Sequence, residues 1–108
     1  MIEYLFWEGC PSHERVLADL IGLMDALDLE REDLRITEIH THADAERERF
    51  IGSPTIRIDR VDIQDPGDTQ YGLECRIYHH RDGKVSPLPD REDLKHRLSE
   101  YAEHHQEG

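Results

Sequence analysis

One apolar stripe constrains the fold of this chain more than any other feature. Val16, Leu17, Leu20, Ile21, Met24 and Leu27 fall at i, i+1, i+4, i+5, i+8 and i+11, along one side of a helix from Pro11 to about Leu29. Just before it stands Ile2-Glu3-Tyr4-Leu5-Phe6-Trp7, a short, largely apolar run of the kind covered on both faces in an α/β sheet. Leu34–Ile39 reads as the next strand. Two strands separated by a helix pair in parallel through a right-handed crossover.

The remaining elements follow from pattern and punctuation. Residues 43–50 suit a short helix ending at Gly52, and Thr55–Ile58 alternates as a third strand. Val61-Asp62-Ile63 begins a fourth, returning as a hairpin. Gln64 to Gln70, with Pro66-Gly67, reads as an acidic loop. Leu73 to Tyr78 is extended and is followed by the turn Arg81-Asp82-Gly83. Pro87 and Pro89 stop that region before Asp90, an N-cap with Asp93 three residues on. Leu94, Leu98 and Tyr101 mark the last helix. The order is β-α-β-α-β-β-α with an insertion before the final helix, helices covering both faces of a small mixed sheet.

A chain of 108 residues supports one core, assigned to residues 1–102, with a polar tail at 103–108 that frays. A net charge of −12 repels a phosphate backbone and excludes a nucleic-acid partner. No run approaches the roughly 20 apolar residues of a membrane span. The sequence enters its first strand without a basic start or small-residue cleavage site, so a cytoplasmic location is expected. Two cysteines in that setting argue for redox or metal chemistry over a structural disulfide.

Gly9-Cys10-Pro11-Ser12-His13 lies where the first strand meets the helix. The reading places Cys10 as the helix cap and Pro11 in the first turn, where its missing N–H costs nothing. Unpaired N–H groups and the positive end of the macrodipole then favour a thiolate. Cysteine is not a favoured cap, so its presence asks for another reason. His13, on the same face, is a donor to the thiolate or a solvated first-turn histidine. Cys75 is either a half-buried strand residue or a resolving thiol. Trp7 lines the mouth or belongs to the core.

Metal ligation has weaker support. His40/His42, His79/His80 and His104/His105 lack the i, i+4 spacing of a two-histidine ligand set, and no Cys-x₂-Cys accompanies them. No cofactor or resident metal is expected. Asp62, Asp65 and Asp68 lack the alternation of a calcium loop and read as solvated.

With Phe6–His13 after the first strand, Gly52-Ser53-Pro54-Thr55 before the third, and Gly72-Leu73-Glu74-Cys75-Arg76 beyond, the chain resembles the thioredoxin/glutaredoxin superfamily. The likeness is greatest to its small bacterial members. It implies that Cys10 is the nucleophile, Pro54 a cis-proline beside it, and Ser53 the residue that pairs with a substrate backbone. His13 stands where paired-cysteine members carry their second cysteine, so no disulfide forms within the motif. The implied activity is thiol–disulfide exchange by Cys10, His13 and Cys75, with Ser53, Pro54 and Trp7 receiving a disulfide-containing protein or a low-molecular-weight thiol. A soft-metal or thiol-binding module and a redox-inactive scaffold are the other readings.

Overall fold

Alternation in the first strand decides the layering. The computed structural model describes residues 1–64, 71–86 and 88–105, the His105 side chain aside. Strand β1 (Ile2–Phe6) turns Ile2 and Tyr4 to one face and Leu5 to the other, and all three are fully buried. The first face packs on helices α1 (His13–Ala26) and α3 (Arg91–His105) through Val16, Leu20, Met24, Leu94 and Leu98. The second meets Ile39, Phe50 and Ala45 of the short helix α2 (His42–Glu48). Burial of both faces is what a near-continuous apolar strand demands.

Strands β2 (Leu34–Glu38), β3 (Thr55–Ile58) and β4 (Val61–Asp62) complete a sheet of order β2-β1-β3-β4. β1 and β2 are parallel; β3 runs antiparallel to both β1 and β4. The described residues thus form an α/β fold of three helices around a mixed sheet. The expected hairpin of β3 and β4 is present.

Several boundaries differ from expectation. Helix α1 starts at His13 with Ser12 as its cap, so Cys10 is not the cap and Pro11 is not in the first turn. The cause is an extra turn, closed by the Cys10 N–H donating to the Trp7 carbonyl at 3.0 Å. The helix also ends at Ala26, short of Leu29. Asp28 adopts a left-handed φ of 56°, and the Leu29 N–H reaches back to the Met24 carbonyl at 2.9 Å. That is a Schellman stop, with Leu29 buried as its apolar contact.

Helix α2 begins with a reciprocal capping box between Thr41 and Asp44. Asp90 accepts from the N–H groups of Glu92 and Asp93 at 2.9 and 3.3 Å, as the sequence suggested for α3. That helix runs on through residues 103–105, where a frayed tail was expected, because Tyr101 and Ala102 are held in the core. Within the insertion, Tyr78–His79 (β5) pairs with Val85–Ser86 (β6) as a small separate hairpin that the sequence reading left out. The acidic-loop assignments at Asp65 and Asp68, the Pro87 stop and the tail beyond His105 lie outside the described residues. None of the described helices is long and apolar enough to cross a membrane.

Candidate functional site

Cys10 and Ser53 are brought together by the ends of neighbouring strands. β1 delivers the turn that carries Cys10, and β3 opens immediately after Gly52-Ser53-Pro54, whose Ser53–Pro54 bond is cis. Both Cys10 and Ser53 are wholly buried. The Cys10 thiol donates to the Ser53 carbonyl, Sγ to O 3.3 Å. The Ser53 hydroxyl accepts from the Trp7 N–H at 3.0 Å and donates to the Trp7 carbonyl at 3.5 Å, tying the two loops to each other.

The backbone edge of Ser53 is taken by the chain itself. Residues 72–76, here called the strap, run past it as a parallel bridge between Ser53 and Cys75. The Ser53 N–H donates to the Glu74 carbonyl at 2.8 Å, and the Arg76 N–H donates to the Ser53 carbonyl at 2.9 Å. The expectation that Ser53 presents these groups to a substrate is therefore corrected: they are already paired. Gly52 permits the approach. Its φ is +155°, and a Cβ there would lie 2.9 Å from the Arg76 Cα and 3.0 Å from its N.

This pairing brings Cys75 to the same residue as Cys10. The Cys75 side chain is exposed, and its backbone bridges Ser53, the residue whose carbonyl accepts from the Cys10 thiol. Partial burial pushes the Cys75 thiol up from its ordinary value, and the neighbouring Cys10 thiol and the Glu74 carboxylate push it further. Alkylation of Cys75 should therefore rise with pH through a midpoint above the ordinary thiol range. Cys10→Ala, which removes one of those causes, should bring the midpoint down. Peptide mapping across a pH series measures both, and identical midpoints would show that the two thiols do not interact.

Two residues missed by the sequence reading anchor the strap. The Arg76 guanidinium, 4% exposed, donates to both carboxylate oxygens of Asp62 at 2.7 and 2.8 Å and to the Gln64 carbonyl at 2.6 Å. Its burial is the largest single influence and opposes the charge. The Asp62 hydrogen bonds, together with the attraction of the Tyr78 and Asp62 groups beside it, outweigh this and hold Arg76 charged. Asp62 is thus the partner of a buried cation, not a solvated loop acid. The same guanidinium lies 4.5 Å over the Tyr78 ring, and the Tyr78 hydroxyl donates to the Pro54 carbonyl at 2.7 Å. Burial pushes the Tyr78 phenol well above its usual value, so it stays a donor. The sequence signal was slight: Arg76 and Tyr78 are buried while Cys75, Ile77 and His79 between and beside them are exposed, an alternation too short to be read without the partners.

His13 is placed elsewhere. Its ring stacks on Phe6 with centroids 4.7 Å apart, and its carbonyl accepts from the Tyr4 hydroxyl. Among the described residues no hydrogen bond joins His13 to either thiol. Trp7 is half-buried against the Leu5–Ile39–Phe50 cluster and lies over Gly9, where a Cβ would come 2.4 Å from the indole. No three His, Cys, Asp or Glu side chains converge as a metal site among the described residues. No known protein family matches this chain, and no match was found among the curated proteins or the solved structures.

Proposed function

We propose that this chain is a thioredoxin-like thiol–disulfide exchange protein whose working unit is the pair Cys10–Cys75. The strand order, the cis bond at Pro54 and a cysteine after the first strand support the fold part of that reading. The observation that carries the chemistry is that a buried and an exposed cysteine meet at one residue, the Cys10 thiol on the Ser53 carbonyl and Cys75 bridged to Ser53 by the strap. A cytoplasmic location fits a protein that keeps two thiols free.

Exposure assigns the roles. Cys10 has no accessible surface, so an incoming disulfide meets Cys75 first. Cys75, whose raised thiol pKa makes this step faster as pH rises, loses its proton to solvent, attacks one sulfur of the substrate, forms a mixed disulfide and releases the other half as a thiolate. Cys10 gives up its proton and attacks the Cys75 sulfur. The second half leaves as a thiolate, and a Cys10–Cys75 disulfide remains. The substrate gains two electrons and the protein loses two. This exchanges the roles that the family resemblance implied for the two cysteines. With the Ser53 edge occupied, a small disulfide suits the site better than an extended protein segment.

The test is oxidation of the monomer by a small disulfide, followed by intact-mass analysis and a peptide map. Loss of the two thiol hydrogens, with both cysteines in one linked peptide pair, is the expected result. Cys75→Ser should abolish the linkage, and Cys10→Ser should stop the reaction at a stable mixed disulfide on Cys75. A disulfide-linked dimer as the sole product would overturn the reading.

A further inference from the structure

Across the sheet from α1 and α3, a cleft of about 660 Å³ opens over the half of the sheet that α2 leaves uncovered. We propose that it binds a small organic oxyanion, a molecule whose phosphate or carboxylate group is held by arginines. Four of them line it: Arg35, Arg49, Arg57 and Arg60. Their gathering in one recess is notable in a chain of net charge −12.

The sheet register shows why the charges are not cancelled. Arg35, Glu3 and Arg57 stand side by side on β2, β1 and β3, with Asp62 next on β4. That row would alternate in sign and be neutral. Asp62, which also lines the cleft, is however committed to Arg76. Arg57 instead donates to the Glu48 and Arg49 carbonyls at 2.7 and 2.8 Å, which fixes its guanidinium in place without neutralising it. Glu3 and Glu48 offset part of the arginine charge, and a positive surplus remains. Tyr71 and Ile51 give the cleft an apolar wall for the body of a ligand.

The backbone supplies an independent reason. Arg49 closes α2 at φ 55°, and Arg60 sits in the two-residue β3–β4 turn at φ 70°. Both are left-handed positions at which glycine is the residue of least strain. Two arginines kept where glycine would be easier, both lining one cleft, are explained if their guanidinium groups have work there. The planar fork matches a phosphate or carboxylate through paired charge-assisted hydrogen bonds.

Arg49→Gly and Arg60→Gly make the experiment decisive, because each relieves its own backbone. Inorganic phosphate and citrate are titrated at low ionic strength into the full chain, followed by amide chemical shifts and calorimetry. Saturable binding centred on the cleft is expected, weakening as salt is added. Each variant should melt no lower than the parent yet bind at least about tenfold more weakly, as for loss of a charge-assisted hydrogen bond. Which of the two probes binds tighter assigns the oxyanion. No saturable binding, unchanged affinity in both variants, or a lower melting temperature in either would overturn the proposal. Both cysteines lie outside the cleft, so this outcome is independent of the dithiol reading.

Discussion

Gly52→Ala is expected to part the two thiols while leaving the sheet and helices in place. The new Cβ would meet the Arg76 backbone at 2.9 and 3.0 Å, closer than real Cβ contacts come, and a φ of +155° adds backbone strain. Neither atom belongs to a flexible side chain, so the strap has to give. Its hydrogen bonds to Ser53, at 2.8 and 2.9 Å, are what carry Cys75 to Cys10, and they yield first. Strain of about 1–3 kcal/mol would raise the population of the open strap by roughly five- to 150-fold. Alkylation of Cys10 in the native protein should accelerate by that factor, and mild oxidation should lose its intrachain product. Parental rates for both would show that Gly52 does not position the strap.

How much of this was legible in the sequence depends on the range of the forces involved. The stripe from Val16 to Leu27, the alternation at Thr55–Ile58 and the Asp90 cap are local patterns, and they found their elements. The helix ends were misplaced because single hydrogen bonds decide them. The Cys10–Trp7 turn delays α1, and a left-handed Asp28 stops it where glycine would have been the visible signal. Cys10, Ser53, Pro54 and Cys75 could be named from the sequence, since each sits in a short motif, but the motif does not say what Ser53 pairs with. The answer lies more than twenty residues downstream in a segment that is polar, partly exposed and barely periodic. Arg76 and Asp62 were illegible for a related reason. In a chain with 25 acidic residues, no local rule singles out the one carboxylate that meets a buried guanidinium. The placement of His13 shows the converse. Its spacing from Cys10 suggested chemistry, and aromatic packing on Phe6 claimed its ring.

Arg76→Met should produce the larger loss of stability, and a second substitution should recover much of it. Arg76 is buried with a two-pronged bond to Asp62, so removing it leaves a carboxylate that is 15% exposed without its cation. Breaking one side of such a pair costs about 3–5 kcal/mol, mostly from the stranded charge. The cation–π contact with Tyr78 and the bond to the Gln64 carbonyl are lost as well. Replacing both partners with apolar residues of similar volume, as in Arg76→Met with Asp62→Leu, removes the stranded charge and should restore most of that loss. Stability and strap closure then become separable. The double variant should unfold at nearly the parental denaturant concentration, yet its Cys10 should be alkylated faster than in the parent, because Arg76 no longer grips β4. If Arg76→Met alone costs less than about 1 kcal/mol, the pair behaves as a surface ion pair and the strap is held by its backbone alone. If the double variant is as unstable as the single one, what Arg76 supplies is packing against Tyr78, and the charge of Asp62 is incidental to it.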